Sequence, residues 1–313
     1  MNKEIVQYFS ILILLLVLSC TQADKIENGI GKQFDYKAGK FIISNFIDNV
    51  GSLLLIDESD LQVTQISSPD FGYDMLPRFS SNGSRVLFLR VLLKDHEQIL
   101  EYDLNSKTTE LVIDSVKFVT DLAYSSNDSS AYVILAKEFE NYSPIAPKGF
   151  HKSDLYDINL QSQKLMKLSN VEAYSLHSLY IPNLGNKIYM TTVGAKSIDY
   201  NGITSFDTYQ RKIAPFLIAN SPRSPVKDSF QLISLSEEKA IYEAPYEIYE
   251  HNLEQNISKL ILRTPDNSHF RTIKIDSTEN KITFSTSSGN FYHYFINSDS
   301  LQQVKFDRIL NGG

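Results

Sequence analysis

What this chain lacks narrows its chemistry first. It has one cysteine in 313 residues, Cys20, so it can form no internal disulfide and no cysteine-based metal centre. Its six histidines, His96, His151, His177, His251, His269 and His293, include no His-x-x-x-His or His-Glu-x-x-His spacing. That removes the helical zinc motif such spacings serve. There is no Gly-x-Ser-x-Gly elbow to present a nucleophilic serine, and no glycine-rich loop of the kind that cradles phosphate. Thirty Lys and Arg stand against 37 Asp and Glu, for a net charge of −7 with both signs intermixed. No basic patch is offered to a nucleic-acid backbone, and none is expected as a partner. No metal and no cofactor are expected either. From Phe34 onward no helical periodicity of useful length appears.

What is present is a repeat. In Leu76 to Leu89, LPRFSSNGSRVLFL, an aromatic leads into a small polar turn, a basic residue and an apolar strand. The aromatic-to-strand offset of 7 recurs in Phe34/Phe41, Phe79/Val86, Tyr124/Ala131, Ile233/Ala240 and Ile275/Ile282, with one residue more in Tyr180/Ile188. The anchors at 34, 79, 124, 180, 233 and 275 are spaced by 45, 45, 56, 53 and 42 residues. Four-stranded propeller blades run about 40 to 50 residues. Each unit continues with an apolar stretch ending in Asp-Leu or Asp-Ile, as in Tyr102-Asp103-Leu104 and Tyr156-Asp157-Ile158. A short closing strand follows, as in Thr109 to Val112 and Lys164 to Leu168. One such meander cannot bury both its faces alone, and stacking units about an axis covers each with its neighbours. The expected fold is all-β, a six-bladed β-propeller of four-stranded antiparallel blades over residues 34–308.

The first residues set a location. The run Ile11 to Leu18, ILILLLVL, follows Lys3 and precedes Ser19-Cys20. It is too short to span a bilayer and has the length of a signal-peptide apolar region. Val17-Leu18-Ser19-Cys20 resembles the bacterial lipobox, which implies cleavage after residue 19 and acylation (palmitate-bearing) of Cys20. Residues 1–19 are then a lipoprotein signal peptide and 20–33 a polar tether. The expected site is the bacterial envelope, lipid-anchored at the outer membrane.

Pro77, Phe79, Ser80, Asn82, Gly83 and Arg85, with Glu101 to Leu104 behind them, resemble the TolB-type, WD-like propeller repeat. Tyr124 to Asp128 matches less fully, and the last two repeats keep only the apolar frame. The TolB family carries an α/β domain ahead of its propeller. Here the first anchor follows the tether directly, so the resemblance implies a propeller alone. It is nearly silent on function, because one fold hosts many.

Candidate functional residues therefore come from the interruptions, since inserted loops on a rigid scaffold are where binding groups sit. Lys137 to Lys152 holds Phe139, Tyr142 and His151; Val193 to Lys212 holds Tyr200, Phe206, Tyr209 and Arg211; Asn220 to Lys227 is shorter. Aromatics and arginine dominate binding hot spots. Two inserts following the second strands of consecutive blades would form one patch. The expected function is a non-catalytic envelope scaffold that binds a protein partner or cell-surface glycan through these loops and the channel mouth. The alternative is a polysaccharide lyase or glycosidase working at the propeller's centre. It needs convergent Asp, Glu, His, Arg or Tyr side chains in one concave site, and gains if His151, His177, Tyr209 and Arg211 come together, whereas a funnel lined only by Ser, Asn and backbone favours binding. Asp103 and Asp157 are assigned to turns, where a carboxylate accepts backbone N–H bonds. Glu237 and Glu238 are read as solvated turn residues.

Overall fold

Short apolar strands with period-two burial, punctuated by Ser, Asn, Asp and Gly, dictate sheets, and sheets are what form. A computed structural model describes residues 29–306, apart from 94–95, 142–147, 184, 196–200, 217–230, 245, 277 and 279. Cys20, Tyr142, Tyr200 and the segment 220–227 lie outside the described residues. Among the described residues there is no helix.

The first meander is β1 (Gly29–Lys37), β2 (Lys40–Ile47), β3 (Val50–Asp57) and β4 (Val63–Gln65). The second is β5 (Tyr73–Phe79), β6 (Arg85–Leu93), β7 (His96–Asp103) and β8 (Thr108–Val116). A single parallel bridge, Gly51 to Tyr73, joins these two into one eight-stranded sheet. The third meander has β9 (Val119–Tyr124) and β10 (Ser130–Leu135), then an inserted hairpin of β11 (Glu138–Asn141) and β12 (Lys148–His151), then β13 (Asp154–Asn159) and β14 (Lys164–Lys167). Next come β15 (Ser175–Tyr180), β16 (Lys187–Val193), β17 (Gly202–Asp207) and β18 (Lys212–Pro215). They are followed by β19 (Gln231–Leu235), β20 (Lys239–Ala244), β21 (Glu247–Asn252) and β22 (Ile257–Arg263). The last are β23 (Phe270–Ile275), β24 (Lys281–Thr286), β25 (Phe291–Phe295) and β26 (Ser300–Val304). These last four meanders are separate four-stranded sheets, arranged as in a propeller. Strand β1 begins inside the segment read as tether.

Burial peaks at the second strands, since the first strands face the channel, and falls toward the fourth. Second strands are covered on both faces, as in the continuous buried run of β24, while fourth strands such as β4 and β26 face solvent. The buried apolar clusters lie between successive meanders. Ile42 and Leu53 pack with Phe79 and Phe88, and Leu87 and Ile99 with Leu122 and Tyr124. Phe34 and Phe41 of the first meander pack with Phe291 and Phe306 from the end of the chain. Consecutive first strands touch, and β23 returns to β1. Side chains tie these inner strands across the junctions: Phe79 N donates to Asp35 Oδ2 (2.6 Å), Leu179 N to Asp121 Oδ2 (2.8 Å) and Leu235 N to Tyr180 Oη (3.0 Å).

The offset of 7 is a hairpin register. Phe79–Val86, Tyr124–Ala131 and Ile275–Ile282 are direct cross-strand partners. In the first and fifth meanders the partners are instead Tyr36–Phe41 and Leu235–Ala240, because those turns are two residues shorter. A change of two preserves the face a side chain occupies, so Phe34 and Ile233 still point into the core. Tyr180 pairs with Tyr189, not Ile188. The turn assignment holds for Asp103, whose Oδ1 accepts Asn105 N and Ser106 N, both at 2.8 Å. It fails for Asp157. Asn159 fills that role, accepting Ser162 N at 2.8 Å, and Asp157 sits two residues earlier on the strand.

Candidate functional site

A meander puts its first-to-second and third-to-fourth turns at one end and all other connections at the opposite end. At the first end the channel between inner strands opens into a cavity of about 1110 Å³. Its wall carries Asp35 and Tyr36 from β1, Tyr180 from β15, Ser234 from β19, and Lys274 and Lys281 from the last meander. Glu58, just past β3, completes it. The alternation of the inner strands explains this lining. The residue before each core-facing partner must turn to the channel, which puts Asp35 before Tyr36, Ser234 before Leu235 and Lys274 before Ile275.

The charges of the wall are engaged with one another. Lys274 Nζ lies 2.9 Å from Asp35 Oδ1. Burial pushes the Lys274 ammonium below its ordinary value, with Asp35 opposing. Tyr36 donates to Glu58 Oε2 (2.5 Å), and Lys281 Nζ reaches the same oxygen at 3.3 Å. Lys281 also bonds Tyr36 Oη. The other carboxylate oxygen bonds His293 Nε2, and His293 Nδ1 meets Thr283 Oγ1 at 2.9 Å. Burial alone would raise the Glu58 carboxyl, but the hydrogen bonds from His293 and Tyr36 and the charge of Lys281 outweigh it and hold the group at about 2. Burial and the bond to Glu58 push the Tyr36 phenol up, so it stays a donor. Farther along the channel Arg78 Nη2 donates to Asp121 Oδ1 at 2.7 Å, and burial lowers the His177 imidazole. Such a wall presents fixed donors and acceptors to a polar ligand. Among the described residues no group of three or more His, Cys, Asp or Glu could hold a metal.

The insert residues divide between the two ends. The first insert is a hairpin between second and third strands, in which Phe139 faces Phe150 with ring centroids 4.7 Å apart. Phe118 lies 5.7 Å from Phe150. His151 is buried, bonds Glu140 O through Nε2 at 3.2 Å and stacks on Tyr174, so it supports the hairpin. The second insert is not one loop. Its middle is strand β17, where Phe206 is 1% exposed in the core beside Ile188. Phe206 is therefore a packing residue, not part of a recognition surface. Tyr209 and Arg211 sit in the β17–β18 turn, at the cavity end and away from the hairpin. Tyr209 is 86% exposed, and an Arg211 guanidinium N–H reaches Met166 Sδ at 3.7 Å. The two inserts do follow second strands, but Phe139 with His151 and Tyr209 with Arg211 occupy opposite ends. His151, His177, Tyr209 and Arg211, whose meeting would favour the catalytic alternative, are not assembled, whereas the cavity wall does bring Asp35, Tyr36 and Glu58 together and is not lined by Ser, Asn and backbone alone.

No protein-family model matches the sequence, and no curated protein matches it. Solved structures do. TolB from Acinetobacter baumannii superposes with a TM-score of 0.61 at 12% identity, over 81% of this chain and 59% of TolB. An oligogalacturonate lyase from Vibrio parahaemolyticus gives 0.57 at 10% identity, over 88% of this chain and 79% of the lyase. An oligogalacturonate lyase in complex with manganese gives 0.59 at 11% identity, covering 88% and 77%. The likeness shows the propeller fold, and the chain spans 59% of the length of TolB.

Proposed function

We propose that this chain is a lipid-anchored, six-bladed propeller of the bacterial envelope, held at the outer membrane through Cys20, that binds a polar partner without catalysis. Counting the eight-stranded sheet as two blades joined by one bridge gives the six. The partner is a segment of an envelope protein or a cell-surface glycan, and the cavity mouth is the better binding surface than the insert residues. The observation that carries this reading is the state of the wall: the acids and bases that could do chemistry are paired as Asp35 with Lys274 and Glu58 with His293, Tyr36 and Lys281. Paired groups orient a ligand's polar atoms. A general base needs a proton to take in a plausible substrate pose.

Lys37 and Lys187 line the same cavity near its rim. The full-length chain carrying Lys37→Glu and Lys187→Glu should keep its melting temperature and lose the envelope component that wild type retains from a detergent-solubilised membrane fraction. Equal retention by both would remove the cavity mouth as the site. The lyase reading is favoured by one observation, the fold shared with oligogalacturonate lyases. Incubation with oligogalacturonate, followed by ultraviolet absorbance of an unsaturated product, tests it. Product formed by wild type and lost in Lys281→Ala would replace the binding reading.

A further inference from the structure

The end of the molecule opposite the cavity has its own composition. Among the described residues every exposed phenylalanine lies there: Phe71 before β5, and Phe139 and Phe150 on the inserted hairpin. They are 54%, 45% and 40% exposed. Ile47, Tyr174 and Tyr246, also exposed, sit in connections at the same end. Among the described residues the turns of the cavity end expose Leu61 and Tyr209 only, and the remaining exposed large apolar side chains lie on outermost strands. Isolated exposed apolar residues are ordinary, whereas a set gathered on one surface marks what that surface touches.

Two further facts say what that is. Strand β1 starts at this end, because its turn to β2 is at the cavity. Eight residues lie between Cys20 and Gly29. Fully extended, the nine steps from Cys20 to Gly29 reach about 30 Å, so a lipid on Cys20 holds the start of β1, which lies at this end, within that distance of the bilayer. The two lysines at the hairpin's base are paired. Lys152 Nζ lies 2.5 Å from Glu138 Oε1, and Lys137 Nζ 2.6 Å from Glu172 Oε1. That leaves the Phe139–Phe150 pair beside a collar of paired charges. Aromatic rings favour the interfacial zone of a membrane, where they fix how an already anchored body sits on it.

We propose that the propeller lies with this end against the lipid bilayer, Phe139, Phe150 and Phe71 entering the interface as a second contact, so that the cavity opens away from the membrane. The proposal rests on the lipid-anchor reading of Cys20. It commits to a lipid surface as occupant, reached by apolar insertion and not by attraction to anionic headgroups.

The chain contains no tryptophan, so one introduced indole reports without background. The full-length lipidated protein carrying Phe150→Trp is reconstituted into phosphatidylcholine vesicles with and without bromine on the acyl chains. Its emission should fall at least twofold with bromolipid and be insensitive to salt. Tyr209→Trp, at the cavity end, should be unquenched, and Phe71→Trp is the second reporter should the hairpin not accept an indole. Unquenched emission from both Phe150→Trp and Phe71→Trp, in protein that floats with the vesicles and whose intact mass shows acylated Cys20, overturns the orientation alone. A Cys20 without acyl mass overturns the anchor reading and this proposal with it.

Discussion

Asp35 holds Lys274 across the junction where the last meander meets the first, with 2.9 Å between Oδ1 and Nζ, while its other oxygen accepts Phe79 N at 2.6 Å. One carboxylate thus ties three meanders at the channel wall. Removing one partner of a buried pair strands the other charge, which costs about 3 to 5 kcal/mol. Asp35→Ala should lower stability by that order in urea unfolding. The double variant Asp35→Ala, Lys274→Met should recover part of the loss, because no ammonium is then left unpaired. If the two single losses simply add, the pair is not coupled.

Glu58 gives the acid limb of stability. Its carboxyl is held at about 2 in the folded state, below the ordinary 4.5. Between those values the unfolded chain binds more protons than the folded one, so stability rises with pH there. The contribution is complete above the ordinary value and is lost as pH falls toward 2. It amounts to no more than about 3 kcal/mol. Melting temperature followed from pH 6 down to 3 should fall more steeply for wild type than for Glu58→Gln. Parallel curves would mean the His293 and Tyr36 bonds do not hold the carboxylate in solution.

Phe206 and Tyr209, three residues apart, should respond oppositely. Phe206→Ala empties a core position and should cost about 3 to 5 kcal/mol. Tyr209→Ala should stay within about 0.5 kcal/mol, as exposed substitutions do. Denaturant midpoints of the two variants check this, and a costly Tyr209→Ala would place the turn against something rigid.

Gly72 sits where the first two meanders touch. Its φ is +82°, and a Cβ there would stand 2.0 Å from Val91 O. Its carbonyl accepts Gly51 N at 3.1 Å. Gly72→Ala must move backbone, and the left-handed conformation adds strain of about 1 to 3 kcal/mol. Unfolding should show that loss or more, whereas Gly185→Ala, with open space around its Cβ, should lose only the conformational part.

The frame was legible because it is written many times. Phe79–Val86 and Ile275–Ile282 repeat one hairpin, and Asp103 announces its turn. The cavity wall was not, because each of its groups occurs once. Asp35, Ser234 and Lys274 share a position without sharing chemistry, and no local pattern links Glu58 to His293, which are 235 residues apart. The signal was there only as alternation: a polar residue just before the core-facing partner in four meanders, Asp35, Arg78, Ser234 and Lys274, but Ala123 and Leu179 in the other two. Phe206 misled for the reverse reason. An aromatic in a long interval between anchors reads as loop until the short strand Gly202–Asp207 shows that the interval contains a strand.

The junction between β23 and β1 is the one place where neighbouring sheets meet without the chain running between them. Among the described residues no strand is exchanged there. The pairs Asp35–Lys274 and Glu58–His293 and the rings of Phe34, Phe291 and Phe306 do the work of a clasp. Releasing a clasp leaves every sheet intact, so the circle can spring into a crescent before any strand melts. Acid, which discharges Glu58, is expected to loosen this junction before the others.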